Sequence, residues 1–375
     1  MKNLSEVNNP YEDEKVISCC SIFGMMSVEG RKYCGTQIMT AIANMHDRGN
    51  GLGGGFAVYG LYPDNRDQYA LHVMYLHREA RIQTEEYVRE NFTLVKAERI
   101  PTRETYGVMN PPDLRRYFVD IPSRRDSEIS EEDYVVDKVM HINTKIDGAY
   151  VFSSGKDLGV FKGVGFPEDV GRFYCLEDYD GYLWTAHGRF PTNSRAWWGG
   201  AHPFSILDWT VVHNGELSSY GTNRRYLEMY GYQCTMHTDT EVLAYAVDLL
   251  MRRHGLPVEL VAKVFSAPLW STLNHADEES KQLYMSLRLV YGGLLMNGPF
   301  AVIIARNGEM IGLTDRIRLR PMVAAVRNDM LYLSSEESAI RLISPQLDYC
   351  WNPRGGEPVI GRLGEPLKER SLSAA

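Results

Sequence analysis

The chain has 375 residues and a formal net charge of −8, with 44% hydrophobic and 23% charged residues. That length and composition suit a sizeable buried core, and the acidic balance argues against nucleic acid as the main partner and against attraction to anionic membranes. No apolar run approaches the ~20 residues of a membrane helix, and the six cysteines form no C-x-x-C pair or regular framework, which suits a reducing cytoplasm.

Taken in order, Met1–Cys19 is polar and acidic and lacks the apolar stretch and basic start of a secretion signal. A strand is predicted over Ser18–Met26, a helix around Thr36–Met45, and strands at Phe56–Tyr62 and Tyr69–Leu76. The stretch from His77 to Asp147 is rich in Arg and Glu, is broken by Pro111-Pro112 and reads as an insertion. Its charge run Ser123–Asp133 suits a solvated face or a docking surface for another subunit. Strands at Ala149–Ser153 and Gly159–Lys162 flank a turn containing Gly155, and Pro167 with Glu168 and Asp169 opens a helix leading to Tyr174. Strands at Tyr182–Ala186 and Trp209–His213 each run into a polar motif. A helix follows from Asp239, with helical segments over Pro257–Phe265 and Glu278–Val290. The closing strands are Phe300–Ala305, Met310–Leu313, Met322–Val326 and Leu331–Ser334. The tail from Trp351 to Ala375, with Gly355-Gly356 and three prolines, suits a segment that wraps a partner or stays loose. Cys34, Cys175, Cys234 and Cys350 are expected as small buried side chains.

Chemistry concentrates in AHGRFPT (Ala186–Thr192), VVHNGEL (Val211–Leu217) and HTDTE (His237–Glu241), together with Cys20 far upstream. A guanidinium such as Arg189 binds both oxygens of a carboxylate, and Asp239 suits an ammonium. Asn214 offers an amide donor and Gly215 a backbone N–H of the kind that builds an oxyanion hole, while Cys20 supplies a nucleophile. Each piece also has a plainer role. Asn214-Gly215 after an apolar run signals a two-residue hairpin. Thr238 with Glu241 spells a capping box, which places Asp239 in a first helical turn. Arg189 alone would make a weak surface ion pair. His187, His202, His213 and His237 invite a metal reading, but no H-E-x-x-H or comparable spacing joins them. Gly51, Gly53, Gly54 and Gly55 lack the Lys-Ser/Thr ending of a phosphate loop and fit tight sheet packing better.

In order and spacing these motifs resemble the class II glutamine amidotransferases, and most of all the amidotransferase portion of glutamate synthase in its archaeal-type split form. The resemblance runs from Cys20 to about Ile343. It includes CSIFG at Cys20–Gly24, HDRGNGLGGGFAVYG at His46–Gly60, FKGVGFPEDVGRFY at Phe161–Tyr174 and AHGRFPTNSRAWWGGAHPF at Ala186–Phe204. It continues with HNGELSSYGTNRRYLEMYGY at His213–Tyr232, GPFAVII at Gly298–Ile304, DRIRLRP at Asp315–Pro321 and SSEESAI at Ser334–Ile340.

The resemblance implies an α+β fold, a four-layer αββα sandwich of the N-terminal-nucleophile hydrolase type. It implies Cys20 as nucleophile, Asn214 and Gly215 as oxyanion hole, Arg189 for the substrate carboxylate and Asp239 for the substrate amine. Thr192 and His202 are expected at the glutamine pocket, and His187 and His213 lie in the motifs. Because the family's base is the α-amine of a terminal cysteine, Met1–Cys19 is expected to be a pro-segment cleaved before Cys20. The amidotransferase domain would then span 20–350, with the charged insertion at 77–147 and a tail at 351–375. Ser21 and Arg318 stand where the family usually carries Gly. The activity implied is hydrolysis of L-glutamine to glutamate, with ammonia passed to a cytoplasmic synthase partner that carries FMN and an iron–sulfur cluster, neither held by this chain. Alternatives are a similar subunit of N-methylglutamate synthase and a non-catalytic scaffold of the same fold.

Overall fold

Two antiparallel sheets lie face to face at the centre of the computed structural model, which describes residues 20–123, 128–190 and 196–367. The larger has seven strands in the order Tyr349–Trp351, Val323–Arg327, Met330–Ser334, Ser21–Ser27, Leu183–Gly188, Gly54–Tyr59 and Leu158–Gly163. The smaller has five, ordered Phe204–Ile206, Trp209–Gly215, Phe300–Arg306, Glu309–Thr314 and Val359–Arg362. Their central strands are buried along their whole length, as in SIFGMMS at Ser21–Ser27. Both faces of such a strand are covered, so its sequence reads as a near-continuous apolar run without alternation. Gly24 marks the closeness of the sheets, since a Cβ there would fall 2.9 Å from Met310 Sδ on the facing sheet. The Tyr59 hydroxyl also crosses the interface, 2.7 Å from Thr210 Oγ1 and 2.8 Å from the Ala305 carbonyl.

Helices cover the outer faces. Gly35–Ala43, Pro167–Phe173 and Glu337–Ile343 pack on the larger sheet, Asp239–Val247 packs on the smaller, and Tyr220–Glu228 packs against that last helix. The result is the αββα sandwich. The Asp239 helix is buried from Thr240 to Val247, on every side rather than along one stripe, as expected of a helix inside a core. It runs on into a π-helical turn, Asp248–Arg253, tied by the Arg252 pair with Asp248 (2.6 Å).

The His77–Asp147 stretch folds into helix Arg78–Asn91, strands Thr93–Arg99 and Asp113–Asp120, and helix Glu131–Lys145. Its two strands join Tyr69–Tyr75 and Ala149–Ser153 in a third sheet of four strands. Ala149–Ser153 therefore does not form the expected hairpin with the strand at Leu158–Gly163. It pairs with Tyr69–Tyr75, while Leu158–Gly163 is taken by Gly54–Tyr59. Val359–Arg362, expected in a loose or partner-wrapping tail, is the edge strand beside Glu309–Gly312. The four cysteines expected to be buried are only partly so.

Candidate active site

Ser21 pairs with Gly188 across the two central strands of the larger sheet, so Cys20, just before one strand, lies beside Arg189 and Phe190, just after the other. The Phe190 N–H donates to Cys20 Sγ at 3.3 Å. A Cβ on Gly188 would crowd the Ser21 hydroxyl, so Ser is accommodated at 21 because its cross-strand partner is glycine.

The facing sheet brings Asn214 and Gly215 to the same end. Strand Trp209–Gly215 continues through both residues, with Asn214 opposite Ala301 and Gly215 opposite Phe300, so the two-residue hairpin that the dipeptide alone would signal does not form. The ladder to Phe300–Arg306 claims these residues instead. Gly215 has φ +155, and a Cβ there would collide with the Pro299 carbonyl, so glycine alone fits. Asn214 is fully buried, with Nδ2 3.5 Å from Ser335 Oγ. Ser335 Oγ accepts the Ile22 N–H at 3.1 Å, which ties Asn214 to the strand that carries Cys20. Phe300 is itself held by Asp315, whose carboxylate accepts the N–H groups of Phe300, Ile317, Leu319 and Arg320.

Thr238 caps the third element by accepting the Glu241 N–H at 3.2 Å. The reciprocal half of the capping box is absent, because the Glu241 carboxylate turns back to the N–H groups of Thr235 and Met236. Asp239, in the first turn, accepts the Leu217 N–H at 3.0 Å and lies 3.5 Å from His213 Nδ1. Burial pushes its carboxyl up, but His213, the Leu217 amide and the Thr240 hydroxyl together hold it below the usual range, so it is anionic at neutral pH.

Cys20, Arg189, His202, Gly215 and Asp239 line one cavity of about 260 Å³, and Asn214, next to Gly215 in the chain, is fully buried. Arg189 is 4% exposed. Burial lowers its pKa, opposed by the neighbouring charges of Cys20, Asp239 and Glu216. Beneath it the His187 and His202 rings stack at 4.0 Å, and His187 Nε2 donates to the His213 carbonyl at 3.0 Å. Burial pulls His187 down to about 3, and pulls His202 well below its ordinary value, so both rings are neutral. Among the described residues, no three His, Cys, Asp or Glu side chains are placed to hold a metal ion. Thr192 and the segment Met1–Cys19 lie outside the described residues.

Sequence reasoning assigned no role to Glu216, Tyr220 or His237, which also line the cavity, or to Ser335 behind it. All four sit inside quoted motifs, so a signal existed for each. The Phe190 amide had none, because a backbone donor leaves no trace in residue type.

The sequence pattern described as Glutamine amidotransferases class-II matches residues 59–348. The chain belongs to the class II glutamine amidotransferases. A protein of Archaeoglobus fulgidus, described only as uncharacterized, is 57% identical over 361 residues, covering 95% of each chain. The amidophosphoribosyltransferase of Methanocaldococcus jannaschii is 24% identical over 222 residues, 58% of this chain and 41% of its own. Among solved structures, the glutamine phosphoribosylpyrophosphate amidotransferase from B. subtilis aligns with TM-score 0.49 at 16% identity, over 94% of this chain and 50% of its own. Among the described residues, no helix is long and apolar enough to cross a membrane.

Proposed function

We propose that this chain hydrolyses L-glutamine to glutamate and ammonia, as the glutaminase subunit of a glutamate synthase complex. One observation carries the hydrolytic reading: Cys20, Arg189, Asp239 and Gly215 line the same small cavity, and the residue before that glycine, Asn214, is a fully buried amide. Removal of Met1–Cys19 would leave Cys20 with a free α-amine, which serves as the base. Arg189 grips the substrate α-carboxylate and Asp239 its α-ammonium, which fixes the side-chain amide carbon near Sγ and converts a bimolecular encounter into a positioned one. The α-amine takes the thiol proton, and the thiolate adds to the amide carbonyl. The oxygen, now anionic, is met by the Gly215 N–H and the Asn214 side-chain amide. Collapse passes the proton to the departing nitrogen and releases ammonia, leaving a glutamyl thioester. Water, deprotonated by the α-amine, then displaces the thiol and frees glutamate. Thr192 and His202 complete the glutamine pocket.

The glutamate synthase assignment is supported by the Ala186–Phe204 motif with its paired Trp197 and Trp198. Ammonia then passes to a separate polypeptide that binds FMN and an iron–sulfur cluster and aminates 2-oxoglutarate. The test combines intact mass with ammonia release from glutamine, for the parent and Cys20→Ala proteins, alone and co-expressed with the synthase subunit. A chain beginning at Cys20, active in the parent and silent in the variant, is expected. Ammonia release at the parental rate from Cys20→Ala overturns the reading. Turnover of methylamine in place of ammonia assimilation by the reconstituted complex would replace the synthase assignment alone.

A further inference from the structure

Behind the cavity stand two buried charged side chains that take no part in the chemistry above. Lys162, on strand Leu158–Gly163, is 1% exposed; its ammonium donates to the Gly199 carbonyl at 3.0 Å and lies 4.3 Å from the centre of the Phe204 ring. Glu241 is fully buried and accepts the N–H groups of Thr235 and Met236, each at 2.9 Å, and the Tyr245 hydroxyl at 3.2 Å. Each side chain feels the other's charge, and Lys162 also feels that of Arg189. An apolar side chain would fill the Lys162 space without the large desolvation cost of an ammonium. The contact it makes therefore calls for an explanation beyond packing.

Each charge is anchored to a backbone segment that borders a substrate-binding group. The Gly199-Gly200 turn packs on the Arg189 guanidinium, where a Cβ at Gly200 would fall 3.2 Å from Nη1. The Trp197 ring closes over both glycines. On the other side, a Cβ at Gly53 would fall 3.0 Å from Arg189 Cδ, so the side chain lies in a slot between two backbone walls. The Lys162 bond fixes one wall. Glu241 holds the turn at Thr235–Met236, which leads through His237 (φ +56) to Asp239.

We infer that Lys162 is a positioning residue for recognition of the substrate α-carboxylate, holding the Gly199-Gly200 wall against Arg189, with Glu241 as its buried counter-charge on the α-ammonium side. The inference rests on the glutaminase reading and extends it to selectivity. Lys162 touches neither substrate nor nucleophile, so its loss should act on the carboxylate contact and spare the rest. Glu241 supports the ammonium clamp, which every ligand bearing the amine uses.

Calorimetry on the Cys20→Ala protein separates these roles, with L-glutamine and 4-aminobutanamide, which differs from glutamine only in lacking the α-carboxylate. Lys162→Met in that background should weaken L-glutamine about 10- to 30-fold and change 4-aminobutanamide by no more than about threefold. Lys162→Gln, which still offers a donor to the Gly199 carbonyl, should restore most of the preference, while Glu241→Gln should weaken both ligands together. Thermal unfolding of each variant reports folding, and Lys162→Ala, which likewise offers the Gly199 carbonyl no donor and has the same expected outcome, carries the test if the methionine variant does not fold. Equal loss of both ligands in a folded Lys162→Met protein, or no loss of either, overturns the inference and leaves the glutaminase reading intact. Failure of the Cys20→Ala parent to bind L-glutamine at all overturns both.

Discussion

Cys20 and Arg189 sit at the ends of two hydrogen-bonded strands, whereas the Thr235–Met236 turn leading to Asp239 and the Gly199-Gly200 turn are held by the buried side chains of Glu241 and Lys162. On the first side the ladder sets position, and what it demands of the sequence is small residues at close approaches, as at Gly188 against the Ser21 hydroxyl and Gly215 against the Pro299 carbonyl. On the second side the same accuracy depends on two charges out of water, which answer to pH and to single-atom changes. The difference teaches that one cavity can combine a wall robust to its surroundings with a wall that is chemically adjustable.

The sharpest break in the comparison comes at the strand-held wall. Asn214→Ala should lower kcat for glutamine by about 10²- to 10³-fold, measured as ammonia release, because a donor aimed at the developing oxyanion is lost. Arg189→Lys should raise KM about 30- to 100-fold while kcat changes by only a few-fold, since a point charge replaces a two-pronged grip on the carboxylate. A kcat that falls in step with kcat/KM would instead place Arg189 in the chemical step.

The side-chain-held wall is tested by pH. Burial pushes Glu241 up to about 7 and pulls Lys162 down to about 7. The folded chain keeps the Glu241 proton where the unfolded chain, titrating near its ordinary 4.5, has lost it. Stability from this group is therefore present at low pH and is lost as pH rises through about 7. Lys162 acts in the opposite direction above pH 7, where the folded chain gives up a proton that the unfolded chain holds. Denaturant unfolding should show Glu241→Gln removing about 2 kcal/mol of the parental decline between pH 5 and pH 7. An identical slope in both proteins would detach Glu241 from that window.

The smallest expected effect belongs to the loop that follows strand Glu309–Thr314. Arg318 has φ +54, a conformation that costs a side-chain-bearing residue more than it costs glycine. Arg318→Gly should stabilise the fold by about 1 kcal/mol, partly offset by loss of its 3.4 Å bond to the Pro353 carbonyl, with KM unchanged. A lower melting temperature would show that the guanidinium contact outweighs the backbone strain.

Much of the sandwich was legible because its strands are continuous apolar runs and its site motifs lie at strand ends. The Asn214-Gly215 signal was ambiguous on local grounds, since the same dipeptide serves a tight turn and a strand end that needs φ +155. Only pairing with Phe300, far along the chain, decides between them. Likewise the Ala149–Ser153 strand looked like half of a hairpin because its neighbour in sequence is close, yet a better partner lay at Tyr69–Tyr75. At the site, Cys20, Arg189, Gly215 and Asp239 were legible as side-chain and glycine chemistry. The Phe190 amide was not, and neither was the link through Ser335, because both depend on strand register.

The short strand Val359–Arg362 carries a further meaning for the molecule in solution. It occupies the rim of the five-stranded sheet, where the backbone of Glu309–Gly312 would otherwise present unpaired donors and acceptors to water. Chains cut back to about residue 350 would share this sticky rim, and rim-to-rim addition between neighbours gives self-association whose onset depends on protein concentration. The Val359–Arg362 strand thus acts as a guard against aggregation, at a distance from any chemistry the cavity performs.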